Sequence, residues 1–233
     1  MAELTRREEL AARLREVHAR IARTCAAAGR DPSEVTLIVV TKTFPASDIR
    51  LLADLGVTDI GESRHQEAAP KIEECAGLPV RWHFVGQLQT NKAAAVAGYS
   101  SVVHSVDRVR LVDALARGAE AAGRLVDCFV QVSLDDAPGR GGASGQQILK
   151  VADRITAADP LRLAGVMAVA PLEADPDAAF ARLSSLAELV QTRHPAALSI
   201  SAGMSSDFES AIGHGATHLR VGSAILGKRP PRV

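Results

Sequence analysis

Apolar residues recur along this chain in two alternating rhythms. From Val35 to Val40 they form an unbroken, β-branched run, which reads as a strand buried on both faces. Comparable short runs predict strands near 57–60, 81–85, 101–104, 126–132, 162–167, 196–200 and 217–221. Between them the apolar spacing changes to three and four, predicting helices over 46–55, 64–75, 90–97, 107–122, 144–157, 175–193 and 206–214, with a short one from about 223. A longer amphipathic helix precedes them all, over 3–28. Leu10, Leu14, Val17, Ile21 and Cys25 fall on one face, and Gly29 stands where a C-terminal cap belongs. Eight strands, each followed by a helix, predict an α/β fold of the (β/α)8 TIM-barrel type. The barrel is expected to take up residues 1–233 as one domain, with the helix in 1–30 packed against its outside. An open doubly wound sheet is the rival, but no GxGxxG turn follows any strand.

In a barrel of this kind chemistry gathers at the C-terminal ends of the strands. That rule selects Lys42, Gly61-Glu62-Ser63, His83 to Gln87, His104, Asp135 to Gly145, Met167 to Pro171, Gly203-Met204-Ser205 and Arg220 to Ser223. Lys42 stands out, because of the five lysines it alone directly follows a β-type apolar run. An ammonium at the end of a buried strand either snorkels to water, pairs with an anion, or is used covalently. The loops after strands 7 and 8 fit a phosphate site: Gly203 lets backbone approach closely, Ser205 or Ser206 can cap a helix from 206, with Glu209 closing a capping box from Ser206, and Gly222 with Ser223 lead into the last helix. Arg220 should point into the barrel mouth, where its guanidinium needs an acceptor; a salt bridge to Glu62 is one solution. His83 and His104 read as satisfied core histidines, since no HxH or carboxylate cluster completes a metal shell. Ser63 and Gln66 read as a capping box, and APGRGGASG (137–145) as a flexible surface loop or, less simply, an anion nest.

Composition narrows the partners. Lys+Arg and Asp+Glu balance at 27 each, which removes nucleic acid and anionic membranes as bulk partners. No apolar run is long enough for a membrane span, and the charged start AELTRREEL is not a secretory signal. Cys25, Cys75 and Cys128 are widely spaced and form no CxxC, so a reducing cytoplasm is expected.

The strings VVTKTFP, DIGESRHQEAAPKI, WHFVGQLQTNK, HSVDR, GVMAVAP, LSISAGMSSDFESAI and HLRVGSAILG occur in that order from about residue 35 to 228. Together they resemble the pyridoxal phosphate homeostasis protein family, single-domain fold-type III barrels similar to the N-terminal domain of alanine racemase. The resemblance implies that pyridoxal 5'-phosphate is held as a Schiff base on Lys42. It implies that Ser205, Gly222 and Ser223 hold the phosphate and that Arg220 faces the pyridine nitrogen; Met204, Ser63 and Met167 complete the expected cofactor-binding set. The family more often has Asn at the position of Ser63, Thr at Ser223 and Met at Ala202. Arginine cannot take the ring proton that an aspartate would accept, so the ring is a weaker electron sink. A two-base racemase needs a second acid/base opposite the lysine. The only tyrosine, Tyr99, precedes strand 4 and is expected at the bottom of the barrel, leaving His83 or His104 as substitutes. The expected function is therefore a monomeric carrier of cytoplasmic pyridoxal phosphate, with pyridoxal phosphate-dependent apoenzymes as possible recipients, rather than an enzyme. A small amino-acid racemase and a sugar-phosphate isomerase or aldolase are the alternatives.

Overall fold

A computed structural model describes residues 5–135 and 141–228. The eight strands are β1 (Thr36–Val40), β2 (Asp59–Glu62), β3 (Arg81–Phe84), β4 (Val102–Val106), β5 (Val126–Gln131), β6 (Leu161–Met167), β7 (Ser199–Ser201) and β8 (His218–Val221). All pair in parallel, in sequence order, and β8 returns to β1 to close the barrel, with Ile38 opposite Arg220 and Val39 opposite Val221. Closure removes both sheet edges, so every strand is covered by neighbours on two sides and by helices outside. This is the expected (β/α)8 fold.

The helices are α1 (Arg6–Ala27), α2 (Ala46–Asp54), α3 (His65–Glu74), α4 (Ala93–Ala97), α5 (Val109–Ala121), α6 (Gln146–Thr156), α7 (Pro176–Arg193), α8 (Phe208–Gly213) and α9 (Ser223–Leu226). Thr5 opens α1 with a reciprocal capping box to Glu8, and the five apolar positions predicted for its inner face are all buried. Each such side chain stabilises by roughly 1.5–3 kcal/mol when taken from water. The helix lies across α8 and α9, outside the barrel. Arg20 pairs with Glu209 at 2.6 Å, and Arg30 donates to the carbonyls of Ile212 and Ala216 at the end of α8, both at 2.9 Å. Through these contacts α1 braces the two short helices that follow the candidate phosphate loops.

Three local expectations are corrected. Ser63 does not cap α3: the N-cap is Arg64, with no side-chain bond. Ser206 and Glu209 form no capping box either. α8 begins only at Phe208, the Asp207 carboxylate accepts from Met204 N at 2.6 Å, and Glu209 is engaged by Arg20. The predicted helix over 90–97 divides into a 3-10 turn, Thr90–Lys92, and the short α4. The loop after β5 falls partly outside the described residues, at 136–140. Its remaining end is tied down: Ala143 bridges Val132, and Gln131 Nε2 donates to Gly141 O at 2.7 Å.

Candidate functional site

β1 is apolar until Val40 and then turns polar, which ends the strand at the barrel mouth. Thr41 N still bonds Gly61 O at 2.9 Å, and Phe44 N closes a turn on Thr41 O at 3.0 Å. Strand alternation carries Val40 and Lys42 to the same face, and both line one cavity of about 480 Å3. Inside the turn Thr43 has φ +70°, rare for a β-branched residue and an identifiable source of local strain.

That strained turn is clamped from behind. Thr41 points the other way, toward the helix layer, where its hydroxyl donates to Glu62 Oε1 at 2.6 Å. Lys71, one and a half turns into α3, donates to the same oxygen at 2.8 Å and to Thr41 O at 2.9 Å. Burial pushes the Glu62 carboxyl pKa up, against the pull of Lys71 and Thr41. Glu62 is thus committed to Lys71 rather than to Arg220. The alternative salt bridge between Glu62 and Arg220 does not form, because the two side chains leave their strands on opposite faces of the barrel wall.

Arg220 turns inward. It donates to Ser201 Oγ at 2.7 Å and to Ala168 O at 2.8 Å, two neutral acceptors that fix the guanidinium plane. Burial pushes its pKa down, to about 10, with Asp207 pulling the other way, so it stays cationic at neutral pH.

The loops after β7 and β8 meet at Ser205, whose hydroxyl oxygen accepts from Gly222 N at 3.3 Å and Ala224 N at 3.2 Å. Both lone pairs being used, its proton is left to donate onward. Gly203 has φ +87°, and a Cβ there would come within 2.8 Å of Phe208 Cα, so only glycine allows this loop to fold back on α8.

Of the eight predicted site residues, Lys42, Ser63, Met204, Ser205, Arg220, Gly222 and Ser223 all line the one cavity. Met167 does not join them; it is buried in a separate apolar cluster with Val102 and Phe129. Val169, two residues on, contributes to the wall instead. Tyr99 precedes β4, as expected, and does not line the cavity. Its ring stacks on His65, the first residue of α3, with centroids 5.9 Å apart. His83 and His104 lie within their strands rather than at the ends, and all four of their ring nitrogens are engaged by Asp59, each other and Ser201. Neither is available as an acid or base at the cavity.

Residues 12–230 match the family described as alanine racemase, N-terminal domain. A protein of Mycobacterium tuberculosis named pyridoxal phosphate homeostasis protein is 40% identical, covering 96% of this chain and 94% of its own. The protein of the same name from Escherichia coli is 34% identical over 95% of this chain and 97% of its own. This chain belongs to the pyridoxal phosphate homeostasis protein family. Among solved structures, PipY of Synechococcus elongatus with pyridoxal phosphate bound superposes with a TM-score of 0.79 at 33% identity, covering 89% of this chain and all of that one.

Proposed function

We propose that this chain binds pyridoxal 5'-phosphate reversibly and serves its intracellular homeostasis, holding the cofactor covalently through Lys42. One observation carries the reading: an amine, a fixed guanidinium and the two glycine–serine loops share a single cavity, whose lining among the described residues includes no Asp or Glu. That donor set fits the cofactor. Its volume falls within the range of small-molecule sites. An amine suits an aldehyde, hydroxyls and close backbone suit a phosphate dianion, and a cation suits an unprotonated pyridine nitrogen. When bound, the cofactor supplies an electrophilic carbonyl and an electron-withdrawing ring.

In this reading Lys42 supplies the amine, steadied by the clamp beneath Thr41. Ser205, Gly222 and Ser223 hold the phosphate, with Ser205 also fastening the two loops together. Arg220 holds no removable proton at neutral pH and presents a positive charge to the ring nitrogen. Met204, Val169 and Ser63 shape the walls. Among the described residues, the ionisable ones lining the cavity are Lys42 and Arg220, which supports a carrier over a two-base racemase. The homeostasis names of the relatives support the same choice. The reading extends to delivery toward pyridoxal phosphate-dependent apoenzymes by a monomer in the reducing cytoplasm; the three cysteines, buried and free, suit that compartment.

The test is the visible spectrum of the protein mixed with pyridoxal phosphate, followed by borohydride reduction and peptide mapping. A yellow adduct that maps to Lys42, and is lost in Lys42→Ala, is expected. A colourless wild-type protein would overturn the reading and favour a sugar-phosphate barrel. Racemisation of alanine or serine that disappears in Lys42→Ala would replace the carrier by an enzyme.

A further inference from the structure

A row of polar side chains runs through the barrel interior, where apolar layers normally fill the space. Asp59 Oδ1 lies 2.8 Å from His83 Nε2, His83 Nδ1 lies 2.9 Å from His104 Nε2, and His104 Nδ1 lies 2.8 Å from Ser201 Oγ. Arg220 then donates to the same Ser201 oxygen. Five strands contribute one member each: β2, β3, β4, β7 and β8. His83, His104 and Ser201 are essentially sealed from solvent. The His104 ring is stacked on Phe129 at 4.6 Å, the two planes nearly parallel, so it cannot turn freely.

The two ends of this row have fixed polarity. Asp59 can only accept, and is held as a carboxylate by Arg81 at 2.7 Å and by the Thr58 hydroxyl at 2.7 Å. Arg220 can only donate. Burial keeps both imidazoles below their ordinary pKa, so each ring has one N–H and one acceptor nitrogen. One proton arrangement then satisfies every contact. Arg220 donates to Ser201, Ser201 to His104 Nδ1, His104 Nε2–H to His83 Nδ1, and His83 Nε2–H to Asp59. The reverse direction would set the His83 lone pair against the Asp59 carboxylate. A network that merely satisfied buried polar groups could run either way or break in the middle. This one carries a direction from one end to the other: Ser201, its first acceptor, meets the guanidinium at the cavity, and Asp59 is its last.

We propose that Asp59, His83, His104 and Ser201 act as a positioning relay that aligns the Ser201 lone pair with Arg220 and so fixes how the guanidinium meets the ring nitrogen of the bound cofactor. The proposal rests on the cofactor reading above. Asp59 sets the tautomer of His83, His83 sets that of His104, and His104 takes the Ser201 proton that would otherwise compete with the Arg220 N–H. Interrupting the relay at His83, which does not line the cavity, should therefore be felt at the cofactor.

Two measurements test it. In the cofactor-free protein, nitrogen chemical shifts of the imidazoles at neutral pH should show His83 and His104 both neutral with the proton on Nε2. An Nδ1–H tautomer at either ring would overturn the relay whether or not the cofactor binds. In the pyridoxal phosphate-loaded protein, Ser201→Ala and His83→Leu should each displace the pH midpoint of the visible band by about half a unit or more and weaken binding about fivefold to tenfold. Ser201→Thr, which keeps the hydroxyl, should restore both. An unchanged midpoint in a folded His83→Leu protein, whatever happens to its melting temperature, would reduce the row to a structural network. A wild-type protein that develops no band fails the cofactor reading instead, and the nitrogen shifts still decide the relay's direction.

Discussion

Lys71→Met is expected to lower folding stability by about 3–5 kcal/mol at neutral pH, because it strands a buried carboxylate. The Glu62 side chain is only 1% exposed, and Lys71 is its one cationic partner within salt-bridge distance among the described residues. The Thr41 hydroxyl reaches the same Oε1, while Oε2 has no protein partner there. With the ammonium gone, one hydroxyl bond faces the full desolvation of the charge. The pH dependence has a definite sign. Burial already raises the Glu62 pKa above its unfolded value, and losing Lys71 raises it further. The folded state then binds a proton that the unfolded state gives up, so the deficit should grow as pH rises above the ordinary carboxyl range and shrink below it. Urea unfolding of Lys71→Met at pH 5 and 8 reads this directly. Adding Glu62→Gln should recover much of the loss, since a neutral amide can keep the Thr41 bond. A double variant as unstable as Lys71→Met alone would show that packing, and not the stranded charge, is responsible. The site should feel the change too, because Lys71 also holds the carbonyl of Thr41, one residue before Lys42.

The parts of this molecule that were legible in the sequence are those written in consecutive residues. The run from Val35 to Val40 and its counterparts specify eight parallel strands, because a strand buried on both faces needs apolar residues at successive positions. Boundaries drifted where apolar composition and backbone pairing part company. Ala196 and Ala197 look like the start of β7, yet they lie in a turn with Ala197 N bonded to His194 O, and the strand begins at Ser199. Lys42, Ser205, Arg220, Gly222 and Ser223 were found because each follows or ends a strand, and barrel geometry brings strand ends together. The clamp on Lys42 was missed. Lys71 looks like any polar residue of an amphipathic helix, and only the packing of α3 on the barrel wall directs it at Glu62. The relay was missed for a different reason: each of its members is unremarkable in its own segment. Strand alternation did hold a clue, since Asp59 shares a face with Gly61, whose Cβ would meet Ile38 and Val40 on the neighbouring strand. The capping boxes failed because a local S-x-x-E or S-x-x-Q spacing competes with tertiary partners. Arg20 of α1 takes Glu209, and no spacing rule within 206–209 can foresee that.

The interior polar row also predicts how this fold yields to acid. Stability should fall in two stages as pH is lowered, the first between about 6.5 and 4 and the second below about 4. The first stage belongs to the histidines. Burial holds His83 and His104 below their ordinary pKa and brings His218, edge-on to Phe129 and bonded to Thr217, down to about 4. An unfolded chain takes up these protons near pH 6.5 while the folded chain refuses them, so the stabilisation is whole above 6.5 and is lost as pH falls toward the folded values. For His218 alone the difference amounts to at most about 3 kcal/mol. The second stage belongs to Asp59. Its burial would raise its pKa, but the bonds from His83 and Thr58 and the charge of Arg81 outweigh that and bring it to about 2. Its contribution is present above the ordinary carboxyl pKa and disappears as the carboxylate is titrated below it. Urea midpoints at pH 7, 4.5 and 3 separate the stages, and His218→Phe should reduce the first while leaving the second. A midpoint that stays level from pH 7 to 4.5 would mean that the barrel accepts protons on these rings without opening, and the neutral, one-way row through its interior would go with it.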